Sequence, residues 1–249
     1  MQTLAFAMPI LPGHLGALRE LTAWIMNERN GDAIAVRRRA GLDREQLFVQ
    51  KTPDGELAVV VWDTADAAKV FTTFAFDESD FGSLFRRKLH EIHGVDLDDS
   101  SNFPEPTILS DWQSSVWTFE RYEQAAFCFP IAADRSSALR RFISSMTLDG
   151  DNFGKYTKMC SNFGIERQVF CEQPTPEGEI VVMYGEGRPD WFPNAFQTMA
   201  MSDDPFVAKW RTEVNRVAAT PVFGDDPTPP KIEEILHLVV RVPAGIPHR

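Results

Sequence analysis

Short apolar runs alternate with longer amphipathic ones along this chain, and the whole alternation occurs twice. Leu4 to Ile10 is a compact apolar run that stops at the Pro9 region, the mark of a buried strand. After Pro12-Gly13, the residues Leu15, Leu18, Leu21 and Ile25 recur at helical spacing. Asn30-Gly31-Asp32 interrupts, and a second short helix runs to Ala40 with Gly41 as its C-terminal cap. Gln46 to Lys51 and Leu57 to Trp62 are two strands joined by Thr52-Pro53-Asp54-Gly55. In that turn proline presets one backbone dihedral and glycine accepts a positive one, so the pair predicts a hairpin. Ala67, Val70, Phe71 and Phe74 mark a helix. Ser79 caps another, which carries Phe81, Phe85, Leu89 and Ile92 to Gly94. Thr107 to Trp112 completes the series as a fourth strand.

The second half repeats these signals in order, about 120 residues later, a spacing that is a whole domain and not a solenoid unit. Ala5-Phe6-Ala7-Met8-Pro9-Ile10 returns as Ala126-Phe127-Cys128-Phe129-Pro130-Ile131. Gln50-Lys51-Thr52-Pro53-Asp54-Gly55-Glu56-Leu57 returns as Gln173-Pro174-Thr175-Pro176-Glu177-Gly178-Glu179-Ile180, and Phe81 with Phe85-Arg86 as Phe206 with Trp210-Arg211. Asp204-Pro205 is an N-cap followed by proline at the first helical position, and Glu233 to Val240 is the last strand. Each half reads β-α-β-β-α-β, the ferredoxin-like order. The predicted divisions are a first repeat over 1–115, a second over 122–241, and a loose tail over 242–249. The strands Leu57 to Trp62 and Ile180 to Tyr184 are apolar on both faces. Helices cover one face of each sheet, so the other needs a cover, and the equivalent face of the other half is the nearest one. The expectation is an α+β protein: two antiparallel sheets packed face to face as an intrachain pseudo-dimeric barrel.

Composition narrows the partners. The 249 residues carry 25 basic and 36 acidic side chains, a net charge of −11, which repels nucleic acid and anionic membranes. Arg37-Arg38-Arg39 is the one basic run, and it reads as a solvated helix end favoured by the helix dipole. Three cysteines, Cys128, Cys160 and Cys171, lack CxxC spacing and read as buried reduced thiols of a cytoplasmic protein. No apolar run has the length of a membrane span, and Met1-Gln2-Thr3-Leu4 opens without a basic signal-peptide region.

The broken first helix, the Gln-x-Thr-Pro-(Asp/Glu)-Gly-Glu hairpin and the Ser/Asp-capped helix resemble the dimeric α+β barrel superfamily. That group includes antibiotic-biosynthesis monooxygenases, muconolactone isomerase-like proteins and heme-handling enzymes. More narrowly, each half is similar to a bacterial family built of single domains of this kind. The resemblance implies a cofactor-independent monooxygenase, isomerase or cyclase acting on an apolar or aromatic substrate in the barrel lumen. The alternative is a barrel that binds a hydrophobic ligand without chemistry, or is simply filled. Fusion supplies what single-domain relatives obtain by dimerising, so a monomer can complete the barrel, with further homo-oligomers through the outer helices still open. The motifs are structural ones and bring no catalytic residues with them.

Candidate chemistry therefore comes from the residues alone. His237 stands in the apolar strand Ile235-Leu236-His237-Leu238 opposite Ser110 of the first half, and is the candidate catalytic group. Gln50 and Gln173 occupy matching hairpin positions, as ligand-binding groups or as partners of strand-end backbone. Phe127, Phe129, Tyr184 and Trp62 are expected to supply an apolar wall. His90 and His93 are spaced three apart, which suits surface histidines near a helix end better than a zinc pair. Arg86 and Arg211 are expected in surface ion pairs. No nucleotide-binding glycine fingerprint or metal spacing is present, so no metal, flavin or heme is expected.

Overall fold

The computed structural model describes residues 1–97, 99, 106–115, 122–148, 150–224 and 228–240. Most of the expected junction between halves, 116–121, and the expected tail, 242–249, lie outside the described residues. The first repeat contributes β1 (Gln2–Ile10), α1 (Leu15–Asn27), α2 (Asn30–Ala40), β2 (Leu42–Thr52), β3 (Gly55–Thr64), α3 (Ala67–Ala75), α4 (Asp80–His93) and β4 (Thr107–Gln113). The second contributes β5 (Glu123–Pro130), α5 (Ser136–Thr147), α6 (Gly150–Asn162), β6 (Ile165–Thr175), β7 (Gly178–Gly187), α7 (Trp191–Met201), α8 (Pro205–Val217) and β8 (Lys231–Val239).

These strands build two antiparallel four-stranded sheets, ordered β1-β3-β2-β8 and β4-β6-β7-β5. Each sheet takes three strands from one repeat and its fourth from the other. The compact units therefore cross the sequence repeats: unit 1 is Met1–Pro104 with Lys231–Arg249, and unit 2 is Glu105–Pro230. The fold is α+β, with four helices on each three-stranded core, as a tandem ferredoxin-like duplication requires.

Local chemistry explains why both copies fold alike. Each hairpin is closed by a threonine hydroxyl donating to the glycine carbonyl across the turn, Thr52 Oγ1 to Gly55 O at 2.9 Å and Thr175 Oγ1 to Gly178 O at 2.7 Å. Gly55 (φ 141°) and Gly178 (φ 128°) occupy positive φ, where a side chain would be strained. Ser79 Oγ accepts from the Gly82 N–H, and Asp204 Oδ1 accepts from the Phe206 and Val207 N–H groups, so the same helix is capped in both units. Arg86 and Arg211, expected in surface ion pairs, bind backbone carbonyls at helix ends. Arg86 Nη1 donates to the carbonyls of Phe74 and Asp77, and Arg211 Nη1 to those of Met199, Ala200 and Ser202. They satisfy the orphan carbonyls at the ends of α3 and α7.

A bulge near the start of each middle strand, between Leu42 and Arg44 and between Ile165 and Arg167, fixes the alignment of the units. Immediately after it, Arg44 pairs with Asp63 and Glu45 with Trp62; in unit 2, Arg167 pairs with Glu186 and Gln168 with Gly185. In unit 1 the helix-facing side of the sheet carries Phe6, Leu47, Val60, Trp62 and Leu236 in one buried cluster. The opposite side is buried too, through Ala5, Ala7, Gln46, Phe48, Val59 and Val61. The two-sided apolar pattern of the central strands is thus realised as two-sided burial.

Candidate functional site

Between sheet 1 and its helices lies a cavity of about 70 Å³. Its wall is largely aromatic and aliphatic: Phe6, Trp62, Phe71, Phe74 and Phe85, with half-buried Met8 and Leu89 at its rim. The aromatic rings pack edge-on and tilted, with Phe6 to Trp62 centroids 4.8 Å apart and Trp62 to Phe71 also 4.8 Å. Roughly 300–1,000 Å³ is usual for a drug-sized ligand, so this space suits a small molecule or one end of a longer one.

Four polar side chains enter this apolar wall: Thr22, Arg37, Glu45 and His93. Arg37 is only 1% exposed. Its Nε donates to Glu45 Oε2 at 2.5 Å, and its Nη1 to the Ala33 carbonyl at 3.3 Å. The other oxygen of Glu45 accepts from the Trp62 indole N–H at 3.0 Å. The guanidinium carbon lies 5.4 Å from the Phe74 ring centroid and 5.7 Å from that of Phe85, cation–π distances. The helix face explains how a charge reaches this place. Ala33, Val36, Arg37 and Ala40 are the buried positions of α2, an i, i+3, i+4, i+7 stripe in which arginine holds one apolar slot.

His93, at the end of α4, is also buried, and its Nδ1 lies 2.8 Å from the Pro9 carbonyl. A carbonyl only accepts, so Nδ1 carries the proton and Nε2 keeps its lone pair. Burial pushes the His93 pKa below the ordinary imidazole value, and the bond to Pro9 only partly opposes this.

Unit 2 has the same frame and carries neutral groups at the matching positions. One turn before the left-handed glycines Gly41 and Gly164 stand Arg37 in unit 1 and Cys160 in unit 2. Gln168 stands for Glu45 and Gly185 for Trp62. Val217 O accepts from Ala132 N as Ile92 O does from Leu11 N, so Ala218 stands for His93, and the Ala219 N–H takes the Pro130 carbonyl instead. The Tyr156 hydroxyl donates to Gln168 Oε1, and burial holds both the Tyr156 and Cys160 pKa values far above ordinary. Trp191, from α7, fills the room that Gly185 leaves open: a Cβ on Gly185 would lie 2.6 Å from its ring. The remaining space beside Phe127, Gln168, Trp191 and Trp210 is about 20 Å³, enough for about one water.

The structure places the residues singled out in the sequence as follows. Trp62 lines the unit 1 cavity. Phe127 lines the small space in unit 2, 5.4 Å from the Phe192 ring, with Phe129 beside it at 6.4 Å. Tyr184 and Gln173 lie on the other face of sheet 2, where the Tyr184 hydroxyl donates to Glu186 at 2.7 Å. Gln50 lies on the corresponding face of sheet 1, alternating with Val49 of the helix-side cluster. His237 is exposed on that face, on edge strand β8. Its Nδ1 lies 3.2 Å from Glu234 Oε1, which also accepts from Gln46 Nε2 at 2.8 Å. Burial would raise the Glu234 pKa, and these two partners outweigh it and hold the carboxyl below its ordinary value. These seven residues are not gathered into one pocket within either unit. The strand pairing also corrects the alignment of His237: Leu236 pairs with Leu47 as Ser110 does with Phe170, so His237 matches Asp111.

Two expectations about charged and polar groups change, and the reading of the cysteines as buried thiols stays as it was. Arg37 is buried, not solvated like the rest of its run. His93 is buried, while His90 is exposed. The cysteines are free and buried, and desolvation pushes the Cys128 thiol up to about 12. Among the described residues no cluster of three or more His, Cys, Asp or Glu is arranged to hold a metal ion, and no helix is long and apolar enough to cross a membrane.

No family model matches the chain, and no curated protein matches it at a significant level. Solved structures are similar in architecture. One is a putative monooxygenase from Fusobacterium nucleatum subsp. nucleatum ATCC 25586, with TM-score 0.48 and 8% identity over 93% of this chain and 89% of that one. A second is an anthrone oxidase-like protein, with TM-score 0.49 and 12% identity over 93% and 88%. A third is a putative monooxygenase from Lactobacillus acidophilus NCFM, with TM-score 0.48 and 7% identity over 97% and 98%. Likeness at this level says nothing about residues or chemistry.

Proposed function

We propose that the cavity of unit 1 is a small-molecule site and that the protein is a cofactor-independent enzyme, of the monooxygenase, isomerase or cyclase kind, that moves a proton on an apolar or aromatic substrate. The observation behind this reading is His93. Its Nδ1–H is fixed by the Pro9 carbonyl, which leaves the lone pair on Nε2; the ring lines an apolar cavity, and burial favours its neutral form. A positioned neutral imidazole is suited to general-base work. The aromatic wall selects for apolar substrate, and the half-buried Met8 and Leu89 at the rim leave room for the rest of a longer molecule. Of the residues singled out in the sequence, Trp62 enters this reading. His237, Gln50, Gln173, Phe127, Phe129 and Tyr184 do not.

The small volume favours a second reading, a hydrophobic-ligand binder without chemistry. Nitrogen NMR of the histidine side chains separates the two. The enzyme reading expects His93 as the neutral Nδ1–H tautomer near about pH 7, with native mass spectrometry of freshly purified protein showing at most one small molecule per chain. A proton on Nε2 instead leaves the cavity without a base and ends the catalytic reading. Two equivalent molecules per chain would end the assignment to unit 1.

A further inference from the structure

Arg37 holds donors that the fold leaves unused. A guanidinium has five N–H groups. In Arg37, Nε is taken by Glu45 and one Nη1 hydrogen makes a long bond to Ala33, while Nη2 has no acceptor among the described residues. The Phe74 and Phe85 rings lie within cation–π distance of the group and offer no oxygen to its edge. Such donors in an apolar wall are costly to leave unmet. The other donors in the wall are spent: the Thr22 hydroxyl donates to Arg19 O at 2.9 Å, and the Trp62 indole donates to Glu45. Arg37 is therefore the group in the wall with donors to give.

We propose that Arg37 Nη2 is the oxygen-binding group of the unit 1 cavity, and that the ligand carries a carbonyl oxygen on a small apolar frame. This rests on the reading that the cavity takes a small molecule, and adds which functional group it takes. Glu45 already balances the arginine charge at 2.5 Å. A carboxylate or phosphate brought to the same guanidinium would stand against Glu45 in an apolar setting, which disfavours a second anion. A neutral acceptor carries no such penalty. Cys160 stands in the position of Arg37 in unit 2, so the inference places one such ligand per chain.

The test uses two molecules of the same shape, cyclopentanone and its alkene isostere methylenecyclopentane, titrated into the full chain by NMR. Both are expected to perturb Trp62 and His93, and only the ketone to shift the Arg37 Nη signals. In the double variant Arg37→Cys/Glu45→Gln, which copies Cys160 and Gln168 of unit 2 and leaves no unpaired charge, the ratio of ketone to alkene affinity falls by about tenfold or more, the scale of a hydrogen bond to a charged group. If both molecules bind, the Arg37 signals stay still and the ratio is unchanged, the carbonyl assignment is overturned while the cavity reading stands. If neither binds the parent protein, the cavity reading fails and takes this inference with it. Should the double variant fail to fold, the Arg37 signals of the parent decide alone: a shift with the ketone only supports the assignment, and no shift overturns it.

Discussion

Units 1 and 2 share strand order, helix order, hairpin turns and bulges, yet they fill one set of matching positions between helices and sheet by opposite means. Unit 1 places charge there: Arg37 and Glu45 paired at 2.5 Å, Trp62 bonded to Glu45, His93 bonded to Pro9. At the matching positions unit 2 places neutral groups, Cys160, Gln168, Gly185 and Ala218, with Tyr156 and Trp191 closing the gaps, and a buried charge of this unit, Glu172, sits further along β6 against Arg140 of α5. A buried ion pair loses hydration that the pairing only partly returns, and an apolar or neutral replacement is commonly as stable. Unit 2 shows that these positions close without an ion pair. The fold therefore does not require the charged set at these positions of unit 1, which is in keeping with the site proposed there.

The largest effect expected from this contrast comes from breaking each cluster at the same strand position. Glu45→Leu leaves the Arg37 guanidinium buried without its counter-charge and is expected to cost about 3–5 kcal/mol. Gln168→Leu leaves two neutral donors, the Tyr156 hydroxyl and the more weakly bound Cys160 thiol, without their acceptor, a cost of about 1–3 kcal/mol. Urea unfolding followed by tryptophan fluorescence measures both. Equal losses would mean that the two clusters are energetically alike, and the contrast would lose its meaning.

A middle-sized effect tests how unit 2 is filled. An alanine Cβ at Gly185 would lie 2.6 Å from the Trp191 ring. Gly185→Ala is expected to cost about 1–3 kcal/mol through overpacking, and Trp191→Phe in the same chain should return part of that loss. Thermal melting gives the answer. A neutral Gly185→Ala would show that the indole does not occupy the room taken by Trp62 in unit 1, and that the glycine has some other cause.

The sequence carried most of the frame and little of this contrast. Strands, hairpins and caps were readable because they follow from contacts within a few residues: Thr52 to Gly55, Ser79 to Gly82, Asp204 to Val207. The exchange of β4 and β8 was not readable. A strand paired with the equivalent neighbour of its twin meets the same register and the same bulge, so its local pattern is identical in either arrangement. Arg37 was hidden by company, since three consecutive arginines point in three directions around a helix and composition does not say which faces the sheet. The signal was there in its spacing from Ala33, Val36 and Ala40. His237 misled for the converse reason. An apolar strand on a sheet edge presents alternate residues to solvent, as Leu236 and Leu238 are buried while His237 is exposed.

The smallest effect concerns protons, and it separates the units by pH. Burial holds the His93 pKa below its unfolded value, against a weaker contribution from Pro9. Above about pH 6.5, the ordinary imidazole value, the ring is neutral in both the folded and unfolded states and contributes no pH dependence. Below that point the unfolded chain binds a proton that the folded chain refuses, so stability falls as pH falls. The loss grows by at most about 1.4 kcal/mol per pH unit and levels off once the pH passes below the folded pKa. Replacing His93 by alanine, the residue that unit 2 carries as Ala218, removes this term. The variant also gives up the bond to the Pro9 carbonyl, so at neutral pH it is expected to be less stable than the parent by about 0.5–1.5 kcal/mol. As the pH is lowered from about 7 towards 5, the gap between parent and variant should narrow, because only the parent meets the growing cost of refusing the proton. Urea midpoints across that range give the difference directly, with every other titrating group common to both proteins. A gap that stays constant would show that His93 titrates alike in the folded and unfolded states. A gap that widens on acidification would show that the fold prefers the charged ring, and His93 would then be unsuited to serve as the neutral base of unit 1.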